Sequence, residues 1–354
     1  ADRTVHLAFD HHKNTLRYVI SQAGAATATT WSSALFNTVR SHLVAGQTLT
    51  DVTYPRFITQ PDGRVLFEYR HITSGNGDSV LYRYDGSSSP GVWSRVGKFV
   101  ARDGGSRTYD FPDANGVPQT FVSANRNAYH DSFVYDAAGW LHTSWTWREG
   151  TGAKNHDVLY AYSTDDGVTW QASGGTPLAT ADSTYIDIND TAAIVASVSE
   201  RRAMLNDGAL DVDPLGRVHI VAGYNDADTP SENNVRIATL RRYHHHWQDE
   251  SGAWHTATLP YNGSRPRLVA DATAAYLVFA QHGRIAVAKA TRSAGYADWE
   301  IIRYYAAPAT FRYGSTPGVD LQRFREHGIL SLFIQDEKSG VTASPVRVID
   351  LQVN

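Results

Sequence analysis

Two histidines in the middle of the chain, His142 and His156, lie in apolar segments that read as consecutive β-strands. Alternate side chains of a strand share a face, so His142 should point the same way as Ser144 and Thr146. We expect that face to line a wet central channel, and pairing of the two strands as a hairpin could bring His156 beside His142. Two neighbouring imidazoles could transfer protons near neutral pH. The alternative is a hydrogen-bonded structural role, which His219 favours by repeating the place of His142.

A second cluster is suited to binding an acidic group. Arg70 precedes the turn Gly75-Asn76-Gly77, where glycine lets the backbone approach a ligand closely. The guanidinium of Arg70 could then hold a carboxylate. The alternative is an ordinary hairpin turn beside a structural arginine.

Metal chemistry has weaker support. In a strand the run His244-His245-His246 points to alternate faces, so only His244 and His246 could share a zinc ion. No HExxH or HxxEH spacing supports such a site. The 354-residue chain has no cysteine, which excludes disulfides and thiolate ligands. We expect catalysis to need no cofactor, while a structural Ca²⁺ bound by loops stays open.

Several other reaction classes lack their signatures. The chain has no G-x-S-x-G elbow, no phosphate-binding loop and no dinucleotide fingerprint. A pair of carboxylates acting across a channel stays open, because Asp and Glu are too frequent here for the sequence to single out a pair.

The scaffold that must position these residues is marked by one turn. The segment 163–170 reads S-x-D-x-G-x-T-W, the Asp-box pattern of certain propeller hairpins. Asp and Gly favour the turn, and Trp170 can anchor it between neighbouring sheets.

Repeated hairpins extend this pattern along the chain. Apolar strands flank Gly63, Gly139 and Gly216 at nearly equal spacing, and tryptophans follow most copies. Such repeats are typical of β-propellers. We predict an all-β, seven-bladed β-propeller formed by a single domain over 1–354, with six blades or two β-sandwiches as alternatives. The C-terminal strand 346–351 should complete the blade begun by the N-terminus.

Composition limits the partners. The net charge is -4, the pI is about 6.4 and basic residues are scattered, unlike a nucleic-acid-binding protein. No apolar stretch is long enough to span a bilayer. The chain starts at Ala1 without a signal-like segment, which suggests a trimmed chain or the mature form of a secreted or periplasmic protein.

Several segments together resemble the BNR-4 repeat family. They are Tyr54-Pro55-Arg56-Phe57, Phe67–His71 with Ser74–Asp78, Leu141-His142 with Trp147–Glu149, Asn155-His156-Asp157, and the Asp box. The resemblance covers roughly residues 54–254. Family members include seven-bladed polysaccharide lyases that act on ulvan, and these are similar to lyases that cleave rhamnose–glucuronate linkages. The resemblance implies β-elimination at a uronic acid, in which the carboxylate is neutralised, C5 loses a proton and the leaving oxygen gains one.

The resemblance also implies site residues. The family order of catalytic side chains maps to His142, His156, Tyr185, Arg202 and Tyr243. Arg201 competes with Arg202, His245 and His246 compete with Tyr243, and His130 is a reserve for the first histidine. The implied substrate-binding residues are Arg70, Asn76, His130, Arg148 and His245. The expected partner is an acidic polysaccharide, bound by a monomer.

Two other functions remain open. A sialidase-like exo-glycosidase would need an arginine triad, for which Arg56, Arg70 and Arg148 are candidates, and a Tyr/Glu nucleophile pair. A non-catalytic propeller would bind carbohydrate through its aromatic residues without turnover. The reaction products distinguish a lyase from a hydrolase, because a lyase leaves a C4–C5 double bond and a hydrolase adds water.

Overall fold

The computed structural model describes residues 2–60, 62–88, 91–112, 117–150, 154–228, 241–306, 317–335 and 346–353. Within these residues the chain forms five antiparallel sheets of three to six strands and two separate strand pairs. The abundance of aromatic and β-branched residues explains this preference for strands. The sheets are the blades of an all-β propeller.

The N-terminal part contains the strand pair β1–β3 and blade 1, whose strand order is β2-β4-β5-β6-β7. Short 3₁₀ helices occupy Ala25–Thr27 and Ser33–Leu35. The strands are β1 (His6–Ala8), β2 (His12–Asn14), β3 (Tyr18–Ile20), β4 (Val52–Thr59), β5 (Val65–Thr73), β6 (Asn76–Asp85) and β7 (Val92–Val100).

Blade 2 is preceded by the hairpin β8–β9 and has the order β10-β11-β12-β13-β14, with β15 also paired to β12. Further 3₁₀ helices lie at Thr191–Ala193 and Glu200–Arg202. The strands are β8 (Arg107–Pro112), β9 (Pro118–Ser123), β10 (Arg126–Tyr135), β11 (Leu141–Glu149), β12 (Asn155–Ser163), β13 (Thr169–Gln171), β14 (Pro177–Thr180) and β15 (Ile194–Ala196).

Blades 3, 4 and 5 follow in chain order as β16–β19, β20–β23 and β24–β26. A 3₁₀ helix occupies Arg292–Ala294, and the α-helix α1 (Leu321–His327) lies within blade 5. The strands are β16 (Ala209–Val212), β17 (Val218–Asn225), β18 (Arg241–Gln248), β19 (Trp254–Thr258), β20 (Arg267–Ala270), β21 (Ala274–Gln281), β22 (Arg284–Thr291), β23 (Glu300–Ala306), β24 (Gly318–Val319), β25 (Ile329–Gln335) and β26 (Val346–Gln352).

Apolar layers between adjacent blades form the core. Trp145, Trp147 and Trp170 are fully buried between blades 1 and 2, and Trp170 stacks on Phe99 of β7 with ring centroids 4.6 Å apart. The Asp165 carboxylate shapes the turn before Trp170, because it accepts hydrogen bonds from the backbone and hydroxyl of Thr169. The repeated hairpins therefore place large rings between neighbouring sheets.

The predicted blade number was wrong: the described residues form five blades, rather than seven or six. Two long insertions lie between blades and do not form blades themselves. Residues 101–125 hold the β8–β9 hairpin, and residues 181–208 run along β7 and β12 before blade 3. Counting blades from a uniform repeat length gave too many, because these insertions add length without forming blades. The C-terminal strand β26 pairs with β25 instead of an N-terminal strand, which corrects the expected closure.

The face carrying His142, Ser144 and Thr146 also differs from expectation. All three side chains are at most 4% exposed. Ser144 donates to Asp131, and Thr146 donates to the His156 carbonyl. This face packs toward blade 3 and does not line a wet channel, because both faces of a blade are covered by its neighbours.

The innermost strands lie side by side around a central channel, with β10 contacting β4 and β16, and β16 contacting β20. The end of the channel at which these strands begin is called the mouth. The opposite end, at which each of them turns into the second strand of its blade, is called the turn end. Helix α1 closes the turn end, because Arg325 donates to the Tyr135 carbonyl at 3.0 Å and to Asp211 at 2.9 Å. Asp211 is fully buried and also accepts from the Ala270 amide. Arg325 thus ties blade 5 to the innermost strands of blades 2 and 3.

Replacing Arg325 by methionine should lower the free energy of unfolding by about 2 kcal/mol, because the buried Asp211 carboxylate loses its cationic partner. Arg323→Met on the same helix is the matched control. Its ion pair with Asp350 is about 40% exposed on both sides, so it should cost at most about 1 kcal/mol. Urea unfolding measures both variants, and equal losses would contradict the role given to Arg325.

Acid should destabilise the fold through buried neutral histidines. His246 is fully buried and hydrogen-bonds with Thr256 at 2.8 Å. Burial, then His244, lowers the pKa of His246 to about 3. Below about pH 6.5 the unfolded chain protonates this group while the folded chain does not, so stability falls by about 1.4 kcal/mol per pH unit down to about pH 3.

The variant His246→Gln should reduce that slope by the same amount. Denaturant titrations at pH 7 and pH 5 measure it, and an unchanged slope would show that His246 is not held neutral.

None of the described helices has the length and apolar character needed to cross a membrane.

Candidate functional site at the channel mouth

A cavity of about 370 Å³ opens in the central channel. Innermost strands and the segments that lead into them supply its lining. Its charged residues are Arg56, Asp131, Asp207, Arg265 and Arg267. Three guanidinium groups and two carboxylates therefore converge where four blades meet.

The three arginines differ in how they are held. Arg56 donates to the His130 carbonyl at 2.8 Å, and Arg265 pairs with Asp207 at 2.7 Å. Arg267 is half-buried and makes no hydrogen bond or ion pair with any residue that the structure describes. Burial, then Arg56, lowers the pKa of Arg267. Asp207 and Asp131 attract the Arg267 guanidinium without contacting it, and a bound anion would supply the direct partner that it lacks.

The carboxylates of the cavity have raised proton affinity. Burial raises the pKa of Asp131 to about 6, against hydrogen bonds from Ser144 and the Gly208 amide. Burial also raises the pKa of Asp207, against the attraction of Arg265 and Arg56. Asp131 is thus fixed in place by two donors and has a pKa near the range useful for proton transfer.

A shelf of aromatic rings and guanidinium groups lies beside the cavity at the mouth. We define it as Tyr54, Arg70, Tyr129 and Arg148. Arg70 lies 4.1 Å from the Tyr129 ring centre and 5.2 Å from that of Tyr54, and Arg148 donates to the Tyr129 hydroxyl at 3.1 Å. These cation–π contacts fix the shelf.

Tyr54 is the exposed member of the shelf, at 38%. Its backbone has a φ of 52°, a conformation that non-glycine residues rarely adopt and that concentrates at functional sites. Burial, then Tyr129, raises the pKa of Tyr54 against the attraction of Arg70. The Tyr54 phenol therefore stays protonated at neutral pH and can donate a hydrogen bond to a ligand.

The structure places three of the predicted substrate-binding residues near this mouth. Arg70 and Arg148 belong to the shelf. His130 is buried behind it, between Ser79 at 2.9 Å and Thr143 at 3.1 Å. Asn76 lies two residues after Ser74, whose carbonyl accepts from Arg70 and Tyr129, and its side chain accepts from Arg102 at 3.4 Å. His245 lies elsewhere, because it is buried between blades 3 and 4 and hydrogen-bonds with His219 at 3.0 Å.

The two histidines expected to act together lie at opposite ends of blade 2. Strands β11 and β12 do pair, but the register places His142 opposite Tyr162 and His156 opposite Trp147. The six residues from His156 to Tyr162 span about 20 Å of strand. His142 is at the turn end, where it hydrogen-bonds with Tyr160 at 2.7 Å. The expectation that they lie side by side was wrong.

His156 lies at the mouth end in a closed network. It is fully buried, with one ring nitrogen 2.9 Å from Glu149 and the other 3.1 Å from Asp157. Burial opposes its charge, but the hydrogen bonds with Asp157 and Glu149 outweigh burial and raise the pKa of His156 to about 9. The rings of Tyr109 and Phe121 from the β8–β9 hairpin cover it. The imidazolium joins this hairpin to blade 2.

The remaining catalytic candidates are dispersed. Tyr185 lies beside β7, with Lys98 3.9 Å from its ring centre. Arg202 is held by Asp228 at 2.7 Å. Tyr243 is buried and donates to the Ser264 carbonyl, directly before Arg265. Tyr243 thus supports the segment that carries two cavity arginines, and the structure does not bring the five predicted residues into one site.

A metal site finds no support in the part of the chain that the structure describes, where no group of three His, Asp or Glu residues could hold an ion. His246 contacts Thr256, and His244 stacks on Tyr224 with ring centroids 3.6 Å apart. The zinc hypothesis for His244 and His246 therefore lacks a third ligand there.

Comparison with known proteins fixes the family. The sequence model described as "BNR repeat-containing family member" matches residues 1–261. The chain belongs to this BNR repeat-containing family. No curated protein sequence matches the chain.

Solved structures show that this BNR repeat protein shares its fold with several others. Polysaccharide lyase Uly1 is similar with a TM-score of 0.72 and 18% identity, over 100% of this chain and 76% of that one. A PL25 ulvan lyase bound to -[GlcA(1-4)Rha3S]- is similar with a TM-score of 0.63 and 11% identity, over 98% of this chain and 76% of that one. A Dyadobacter fermentans protein of unknown function is similar with a TM-score of 0.53 and 11% identity, over 98% of this chain and 90% of that one.

The prediction missed the cavity residues Asp131, Asp207, Arg265 and Arg267. The repeats did contain a signal for Arg267. A proline, an arginine and two apolar residues occur together at two innermost strands, as Pro55-Arg56-Phe57-Ile58 and as Pro266-Arg267-Leu268-Val269. Aligning the repeats by their first strands would have selected Arg267. The two aspartates carried no comparable signal, because acidic residues occur throughout this BNR repeat protein.

Proposed function

We propose that this BNR repeat protein is a polysaccharide lyase that cleaves a uronic-acid-containing polysaccharide by β-elimination at the channel mouth. The observation that carries the proposal is the unpaired guanidinium of Arg267, placed in one cavity with Arg56 and Arg265. The planar guanidinium of arginine can bind a carboxylate through two parallel hydrogen bonds. The fold that the chain shares with polysaccharide lyases supports the same reaction class.

The proposed chemistry follows from the charges of the cavity. Arg267 and Arg56 bind the uronate carboxylate, so that negative charge developing beside it in the transition state is stabilised. Asp131, with its pKa of about 6, removes the C5 proton. The exposed Tyr54 donates a proton to the leaving glycosidic oxygen. The C4–O bond breaks as the C4–C5 double bond forms.

The substrate is proposed to be an ulvan-like polymer or one with rhamnose–glucuronate linkages. This choice rests on the bound disaccharide repeat of the ulvan lyase whose fold the chain shares. We further propose that the protein acts as a secreted or periplasmic monomer without a catalytic cofactor, consistent with a large, soluble substrate.

A second candidate is glycoside hydrolysis. Asp131 and Asp207 line the same cavity, burial raises the pKa of both, and the charge of Asp207 raises the pKa of Asp131 further. Two carboxyl groups of this kind could serve as acid and base in a hydrolase.

The product decides between the two functions. Ulvan, gum arabic and a rhamnose–glucuronan are incubated with the protein while ultraviolet absorbance and reducing ends are both recorded. The lyase proposal expects both signals to rise together, because each cleavage creates an unsaturated uronate. Reducing ends without absorbance would establish hydrolysis, and neither signal on any of the three polymers would overturn the proposal for this substrate class.

A further inference from the structure

A second cavity of about 350 Å³ lies at the turn end between blades 2 and 3. Asp136 of this cavity follows β10, three residues beyond Phe133 of the arginine cavity, and the two cavities share no lining residue. The size of the second cavity falls within the range of roughly 300–1,000 Å³ of small-molecule sites. Trp140, His142, Tyr162 and Gln248 also line it.

Trp140 supplies a flat, accessible surface. Its side chain is 42% exposed although it stacks on Tyr162, with ring centroids 5.2 Å apart and planes within 13°. The Trp140 amide donates to Asp136 at 2.8 Å, which fixes the backbone. A supported ring of this kind offers a large contact area at low entropic cost, and the C–H face of a sugar can lie against it.

Polar groups stand beside this ring. His142 is 3% exposed; one of its ring nitrogens bonds Tyr160, and Nε2 has no hydrogen-bond partner in the described chain although Asp136 lies 3.3 Å away. A buried polar atom without a partner calls for an explanation, and a ligand supplies one. Gln248 donates to Ser173 at 2.6 Å, which orients its amide at the rim.

The negative charge of Asp136 determines which kind of ligand fits the cavity. Burial opposes ionisation of Asp136, but His142 at 3.3 Å and the hydrogen bond from the Trp140 amide lower its pKa overall, so a carboxylate faces the space. No Lys or Arg is among the described residues that line it. An anion would be repelled, whereas sugar hydroxyls can donate to the carboxylate and accept from the imidazole.

We propose that this turn-end cavity binds a neutral sugar residue, stacked on Trp140 and hydrogen-bonded by Asp136 and His142. The site would hold a neutral part of a polysaccharide on the face opposite the mouth. It does not depend on the reaction proposed for the mouth, because no residue is shared between the two cavities.

The test is a binding titration with the complete chain. Uncharged rhamno-, xylo-, gluco- and galacto-configured trisaccharides and one glucuronate trisaccharide are the probes. Indole N–H resonances are followed by NMR, with Trp140 assigned through Trp140→Phe. At least one neutral probe should saturate and shift the Trp140 signal, while the glucuronate probe leaves that signal unmoved.

Three variants make the result specific. Trp140→Ala should weaken the affinity for the neutral probe at least tenfold. Trp31→Ala removes another exposed tryptophan, which is 54% accessible and does not line the cavity, and should leave the affinity unchanged. Gln248→Ala provides a second lining variant if Trp140→Ala does not fold. The proposal is overturned if no neutral probe shifts Trp140, if the glucuronate probe shifts it more strongly, or if the lining variants bind as the wild type does.

Discussion

Arg267→Gln should lower the rate of polysaccharide cleavage at least about 100-fold while the protein remains folded. Glutamine keeps hydrogen-bonding capacity but removes the positive charge that is placed to stabilise the reacting carboxylate. Loss of one such electrostatic contact typically costs about two to three orders of magnitude in rate. Folding should be retained, because Arg267 has no hydrogen-bond or ion-pair partner in the described structure to lose.

The matched control is Arg17→Gln, which removes a surface charge from an exposed ion pair with Asp10. Its rate should equal that of the wild type. Initial rates at saturating and subsaturating substrate give kcat and kcat/KM for both proteins, and circular dichroism checks the fold. A folded Arg267→Gln variant with wild-type kinetics would remove Arg267 from the site.

His156→Gln should lower the free energy of unfolding by about 3–5 kcal/mol, since it leaves Glu149 and Asp157 buried without their shared cation. The loss should detach the β8–β9 hairpin, whose Tyr109 and Phe121 rings pack on the imidazole. Urea unfolding gives the stability, and proteolysis between residues 107 and 123 reports on the hairpin. His255→Gln, at a half-exposed ion pair with Asp249, is the control and should cost at most about 1 kcal/mol.

The pH dependence of this effect has a defined sign. The folded pKa of His156, about 9, lies above its unfolded value near 6.5. Its contribution is therefore fully present below about pH 6.5 and declines as the pH rises toward 9. The difference in stability between wild type and His156→Gln should shrink over that interval. A constant difference from pH 6 to pH 9 would contradict a buried imidazolium.

The family resemblance gives His156 a catalytic role, and the same variant tests that role. Activity per folded molecule separates chemistry from stability. The buried network predicts that any lost activity follows the unfolded fraction. Loss of turnover in a fully folded variant would instead support the catalytic prediction.

Local sequence was sufficient to predict the kind of scaffold. The turn at Asp165 and the ring of Trp170 are specified within eight residues, and the structure places that ring between two sheets. Repetition of such hairpins led to the β-propeller and to the BNR repeat-containing family. The blade number required knowing which stretches are insertions, which is a property of tertiary packing and not of local periodicity.

The candidate site was harder to predict for the same reason. His142 and His156 were correctly placed on paired strands, but the register separates them by most of the strand length. Arg56, Asp131, Asp207 and Arg267 come from separate segments, and only closure of the blades around the channel brings them together. Arg70 and Arg148 were predicted to bind substrate, and the structure places both on the mouth shelf.

Recognition of a uronate carboxylate by Arg267 is tested most directly by comparing two ligands that differ only in that group. Dissociation constants are measured by calorimetry for a glucuronate-containing oligosaccharide and its carboxyl-reduced form, with wild type and Arg267→Gln. We expect wild type to bind the acidic form at least tenfold more tightly, and we expect Arg267→Gln to lose that preference. Equal affinities of wild type for the two forms, or a preference that survives in Arg267→Gln, would contradict the proposed site.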